Sequence, residues 1–238
     1  MAGHSKWANI KHKKGRADAK KGKMFSRITK ELISAVKQGG PDPKSNAKLR
    51  AAIQKAKAIN LPADNIERNI KKASNVDQSD YTELTYELYG HGGVGIVVFA
   101  MTDNKNRTAS DMRIATNKKG GTIASPGSVM FNFDKKGVIQ IALDQTTEDE
   151  LFEQASELGA EDFEVAVEHY LVITSSEALY EVKEKLDQAG IPTAEANLEM
   201  IPKVMVACDE ATAKANRELI DWLENLDDVD EVFHNMES

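Results

Sequence analysis

The sequence predicts an α+β protein: an N-terminal three-helix domain followed by two small α/β sandwiches of the ferredoxin-like kind. Three observations carry this. Apolar residues recur at helical spacing up to about residue 73, short strand and helix patterns alternate after residue 80, and the charge changes sign along the chain. Residues 1–75 hold 19 Lys+Arg against 5 Asp+Glu, residues 76–136 hold 7 of each, and residues 137–238 hold 5 against 26. The formal net charge of −7 therefore conceals a cationic end and an anionic end.

Residues 1–23 are basic and sparsely apolar, which predicts a segment that stays mobile until bound. Met24, Ile28, Leu32, Ile33 and Val36 then define a first helix, stopped by Gly39-Gly40-Pro41. Ser45 or Asn46 caps a second, with Leu49, Ala52, Ile53 and Ala56 on one face. Pro62 opens a third, carrying Ile66 and Ile70. Lys48, Arg50, Lys55, Lys57, Arg68, Lys71 and Lys72 fall largely off these apolar stripes, so the unit presents a basic exterior.

Residues 74–80 read as a polar linker. Tyr81–Tyr89 and Val94–Met101 follow as a hairpin around Gly90-His91-Gly92-Gly93. A helix over 104–118 turns Met112 and Ile114 inward and ends at Gly120-Gly121. Ser128–Phe133 and Val138–Ala142 read as strands on either side of an Asp134-Lys135-Lys136-Gly137 turn. Helices are expected over 148–158, 177–188 and 209–226. Strands are expected over 169–174, within 194–206 and over 229–233. Periodicity leaves the pairing of these strands open.

Several functional classes are excluded or weakened. No apolar run approaches the roughly 20 residues a membrane span needs, so no membrane association is expected. The basic, polar start lacks the apolar core of a secretory signal. The lone Cys208 permits neither a disulfide within the chain nor a cysteine metal cluster, in keeping with a reducing cytoplasm. The five histidines are scattered, and neither a zincin helix, a nucleophile elbow nor a Walker A loop occurs. Asp209 and Glu210 beside Cys208 disfavour a thiolate nucleophile. Residues 90–95 match G-x-G-x-x-G literally, but β-formers follow where a dinucleotide site needs a helix. A Mg²⁺ site assembled from carboxylates distant in sequence is the one enzymatic reading left open. The expectation is a non-enzyme with no catalytic residue, cofactor, metal or small-molecule substrate.

The positive signal is nucleic-acid binding. Lys6, Lys11, Lys13, Lys14, Arg16, Lys20, Lys21 and Lys23 form a dense cationic run that includes Trp7 and His12 and is opposed only by Asp18. Such groups neutralise phosphates and release counterions, and Trp7 offers a face to an unpaired base. The plainer alternative is a solvated charge run with Trp7 anchoring the tail. A second candidate is Asn104, Lys105, Asn106, Arg107, Arg113, Lys118 and Lys119, at a strand-to-helix junction and along the helix after it. Its plainer alternative is that Asn104 or Thr108 caps the helix and the cations are ordinary surface. No helix-turn-helix recognition helix is evident.

Met1-Ala2-Gly3-His4-Ser5-Lys6-Trp7, His12-Lys13-Lys14-Gly15-Arg16, Gly39-Gly40-Pro41-Asp42-Pro43, Lys55-Ala56-Lys57, Asn65-Ile66-Glu67-Arg68, Thr102-Asp103-Asn104-Lys105-Asn106-Arg107-Thr108, Gly120-Gly121 and Pro126-Gly127-Ser128-Val129 complete the picture. Together they resemble the YebC/PmpR family over essentially the whole chain. The resemblance implies three domains: residues 1–75, a discontinuous domain of 76–130 with 204–238, and an inserted acidic domain of 131–203. It implies a DNA-binding transcriptional regulator, or alternatively a translation factor on ribosomal RNA. Relatives include a mitochondrial translational activator and bacterial proteins associated with stalled ribosomes. It carries no catalytic residue onto this sequence. A third class, an acidic module docking a basic protein, follows from the charge pattern alone.

Overall fold

The computed structural model describes residues 17–74, 80–166 and 169–237, with side chains from residue 22 onward in the first stretch. These residues fall into two compact units, one of 17–133 with 202–237 and one of 134–201.

The first unit opens with three helices: α1 (Ala17–Gly39), α2 (Ala47–Ala58) and α3 (Ala63–Ala73). Helix α1 starts inside the segment expected to be mobile, so residues 17–23 form its first turns. Ile28, Leu32, Ile33, Val36, Leu49, Ala52, Ala56, Leu61 and Ile66 build the core between the helices. Of the two cap candidates, Asn46 is the one used: its Oδ1 accepts from Leu49 N at 3.0 Å. Its Nδ2 donates to Ala35 O at 2.7 Å and Gly40 O at 2.8 Å, tying the end of α1 to the start of α2. A Cβ on Gly39 would lie 2.7 Å from Asn46 Cγ, so that position accepts only glycine without rearrangement.

The rest of this unit is a four-stranded sheet under two helices. The elements are β1 (Thr82–Tyr89), β2 (Gly95–Thr102), α4 (Lys105–Lys119), β3 (Thr122–Ile123), α7 (Glu210–Glu224) and β8 (Val229–His234), in strand order β3-β1-β2-β8. Neighbouring strands are antiparallel; Val97 pairs with Phe233 and Val98 with Val232. Leu88, Ile96, Val98, Met112, Leu219, Ile220 and Leu223 fill the space between sheet and helices.

The second unit contains β4 (Phe133–Ala142), α5 (Glu148–Glu157), β5 (Asp162–Val165), β6 (His169–Ser175), α6 (Leu179–Gln188) and β7 (Glu195–Pro202). This β-α-β-β-α-β order with strands arranged β5-β6-β4-β7 is the ferredoxin-like winding. The first sheet reaches a two-layer form by a different chain order, two strands preceding the first helix.

Three local expectations are corrected. Residues 134–137 are not a turn: β4 runs unbroken from Phe133 to Ala142, and Lys136 and Gly137 pair with Ser175 and Thr174. Gly137 is there for closeness, since a Cβ would meet Thr174 Oγ1 at 2.3 Å. Residues 130–132 form a 3₁₀ turn rather than strand. Ile114 is exposed, whereas Met112, Ala115 and Thr116 are buried: the inward face of α4 lies to either side of it. The linker residues 75–79 lie outside the described residues.

Candidate nucleic-acid interface

Most of the first cationic candidate, Lys6, Trp7, Lys11, His12, Lys13, Lys14 and Arg16, lies outside the described residues. Lys20 and Lys21 lie on α1 at positions whose backbone alone is described. Lys23 is placed, and it faces protein. Its ammonium donates to the carbonyl of Glu224 at the end of α7. Burial lowers its pKa, with Glu224, Asp230 and Asp227 acting in opposition.

The next turns of α1 continue this contact. Arg27 Nη1 lies 2.6 Å from Glu231 Oε2, and its Nε lies 3.3 Å from Glu31 Oε1. Burial works against the Arg27 cation, but Glu231 and Glu31 outweigh it, and its pKa rises. Lys30 donates to Met101 O at 3.0 Å and lies 3.9 Å from Asp230 Oδ1. Asp230 is deeply buried, and burial pushes its pKa up to about 6 against the pull of Lys30 and Arg27. This face of α1 is therefore spent on holding the helices to the sheet.

The exposed cations lie on the other helices. Lys48, Arg50, Lys57, Arg68, Lys71 and Lys72 are all on the surface, with Lys44 in the turn before α2. Between α1 and α3 a groove of about 390 Å³ is lined by Phe25, Lys30, Asn65, Arg68, Asn69 and Tyr81 among others. It brings a guanidinium, two amides and two aromatic rings to one place.

The second candidate resolves differently. Asn104 caps α4, accepting from Arg107 N at 3.1 Å, while Thr108 Oγ1 donates to Asp228 at 2.8 Å. Arg107 Nε and Nη2 reach the two oxygens of Asp228 at 3.1 and 2.7 Å, and Nη2 also reaches Asp103 at 2.9 Å. Thr102 Oγ1 completes the set at 3.0 Å from Asp228 Oδ2. Burial pushes the Asp228 carboxyl up, but hydrogen bonds from Arg107, Thr108 and Thr102 outweigh it and hold the pKa low. The Thr102–Thr108 motif thus bolts the start of α4 to the loop between α7 and β8. Thr102 and Thr108 are buried within the fold; Asp103, Asn104 and Arg107 have internal partners but stay exposed, as do Lys105 and Asn106. Arg113 is exposed further along α4. Lys118 and Lys119 each stand 5.7 Å from the Trp222 ring centroid, and Lys119 also pairs with Glu218 at 3.1 Å.

The glycine-containing loop at 126–130 also has an internal use. Gly127 N, Val129 N and Met130 N donate to the Glu87 carboxylate at 2.5, 2.6 and 2.7 Å. Glu87 is buried, yet these N–H groups outweigh the burial and keep its pKa low. The backbone cradle that could have received a phosphate already holds an anion of the chain itself. Sequence reasoning missed this carboxylate, because a Glu in a strand pattern gives no sign of what it will meet. Cys208 shows no activation: burial, then Asp209 and Glu237, push the thiol up.

Comparison with known proteins decides the family. The model of the TACO1/YebC N-terminal domain matches residues 5–76, and that of the TACO1/YebC second and third domain matches residues 81–236. The chain belongs to the TACO1/YebC family. A probable transcriptional regulatory protein of Protochlamydia amoebophila is 63% identical over 236 residues, covering 99% of this chain and 96% of its own. One from Chlamydia pneumoniae is 60% identical over 99% of this chain and 100% of its own. The crystal structure of a conserved hypothetical protein, Aq1575, from Aquifex aeolicus matches with a TM-score of 0.80 at 43% identity, covering 98% of this chain and 97% of that one. The Protochlamydia and Chlamydia relatives carry the names of regulators, not of enzymes. No described helix of this member is long and apolar enough to cross a membrane.

Proposed function

We propose that this TACO1/YebC protein is a non-enzymatic regulator that binds nucleic acid through its basic N-terminal third, acting in the cytoplasm on DNA. The observation that carries the reading is the charge segregation. A block of net +14 leads a chain whose last hundred residues carry −21. The leading block attracts phosphates by releasing their counterions, and the anionic remainder limits indiscriminate coating. The exposed cations of α2 and α3 belong to the same block. The names of the relatives support transcription as the process regulated.

A second reading, a translation factor on ribosomal RNA, is favoured by one observation. Helices α2 and α3 are joined by Ile59 to Pro62, a helix-turn-helix length, with Asn60 at φ 57° in the turn. In such a motif the start of the second helix reads bases. Here that start carries Asp64, Asn65 and Glu67, and the two carboxylates repel a duplex. Backbone attraction without a reading helix suits structured RNA, recognised largely by shape and backbone, better than sequence readout of a regular duplex.

Sedimentation with ribosomes, set against binding to promoter duplex at the same moderate salt, tests both. Preference for the duplex supports regulation of transcription, preference for ribosomes supports the translation reading, and binding to neither removes both.

A further inference from the structure

The second unit is anionic. Residues 134–201 hold 17 Asp+Glu and 4 Lys. A phosphate polymer is repelled from such a surface, so its solvated face alone needs no ligand. The apolar side chains on it are less easily explained. Phe152 on α5 is 56% exposed and Val165 on β5 is 42% exposed. The Phe152 ring packs edge-on against Phe163 at 5.8 Å, and Phe163 stacks on Tyr170 at 5.7 Å. The outer ring of this row is thus held in place by an inner row that reaches the core.

Strand β5 is the edge of its sheet. Phe163 and Val165 alternate along it, so they share one face. Helix α5 places Glu148 and Asp149 one turn before Phe152, and both are exposed. Leu143, just beyond β4, is 37% exposed in the same unit. The surface therefore combines a fixed aromatic ring, an aliphatic neighbour and carboxylates. The Phe163 N–H donates to Asp162 Oδ1 at 2.9 Å, so it is not offered to an added strand.

We propose that the Phe152–Val165 face of the second unit docks a cationic segment of a partner protein. The segment is Lys/Arg-rich and has apolar side chains between its charges. Its apolar groups cover Phe152 and Val165, an Arg or Lys lies over the ring, and Glu148 and Asp149 receive the charges. The charge complementarity selects this occupant over a nucleic acid, and the proposal does not depend on the nucleic-acid reading.

The test uses the intact chain and two labelled peptides, one alternating Arg with Leu and one alternating Arg with Gly, read by fluorescence anisotropy. The Arg/Leu peptide should bind about tenfold tighter than the Arg/Gly peptide, the contribution of burying one large apolar anchor. Phe152→Ser should abolish that preference, Val165→Ser should reduce it, and Glu148→Gln with Asp149→Asn should weaken both peptides alike. Equal binding of the two peptides by the natural chain would overturn the proposal. So would retention of the preference in both apolar variants. Val165→Ser lies on a separate element, so the test stands if Phe152→Ser fails to fold.

Discussion

Arg107 and Asp228, far apart in sequence, meet through two N–H···O bonds at 3.1 and 2.7 Å. Asp228 is 7% exposed and also satisfies the hydroxyls of Thr102 and Thr108. One carboxylate thus organises the end of β2, the start of α4 and the loop before β8.

Removing that carboxylate should be costly. Asp228→Ala leaves two hydroxyls and a guanidinium without their shared acceptor and should lower stability by about 2–4 kcal/mol in urea titrations. The folded pKa is depressed, so the contribution is complete above the unfolded carboxylate value and is lost as pH falls through the lower folded value. An Asp228→Ala protein with the natural midpoint would show that the network is incidental.

Glu87 tests the cradle at residues 127–130. In Glu87→Gln one oxygen becomes an amide that confronts a backbone N–H as a second donor. A destabilisation of about 1–3 kcal/mol is expected. Hydrogen exchange should speed up at Gly127, the amide bonded to Oε1, before it changes in β2, because the single amide oxygen stays with Val129 and Met130. Uniform exchange rates across both would show that the loop does not depend on the carboxylate.

Asp230 has the opposite sign. Its pKa is raised from 3.8 to about 6 by burial, so the folded state binds the proton more tightly than the unfolded state. Stability attributable to this group falls as pH rises between those two values and stays constant above them. Asp230→Asn should therefore gain on the natural protein across that window, by roughly 2–3 kcal/mol at most. A pH-independent difference between the two proteins would mean that Asp230 ionises normally beside Lys30 and Arg27.

For the basic tail the readout is salt. Replacing Lys11, Lys13, Lys14 and Arg16 with Ala should weaken binding regardless of sequence and flatten the salt slope by about 0.9 for each duplex phosphate that is no longer neutralised. Replacing Lys23 with Ala should instead act on stability, because its ammonium is bonded to the Glu224 carbonyl. Equal slopes before and after the fourfold substitution would remove the tail from the interface.

Much of the fold is legible in local pattern. The spacing of Ile28, Leu32 and Val36 gives α1 its buried face, and two strand-like runs around Gly90-His91-Gly92-Gly93 give the β1–β2 hairpin. The misreadings have physical causes. Asp134 to Gly137 has turn composition, but pairing with β6 and the approach of Thr174 to Gly137 keep it in a strand. The two-residue β3 and the four-residue β5 are too short to show a period at all.

What the sequence alone determined is the order of the elements and the separation of charge, because both reside in neighbouring residues. What only the tertiary structure decided is which charged groups are available. The fold sets Glu231 beside Arg27, Asp230 beside Lys30 and Asp228 beside Arg107. Glu87 likewise meets its partners only in the loop at 126–130. Whether an ionic group faces solvent or a partner depends on residues remote in the chain, and a buried charge persists only where such neighbours satisfy it.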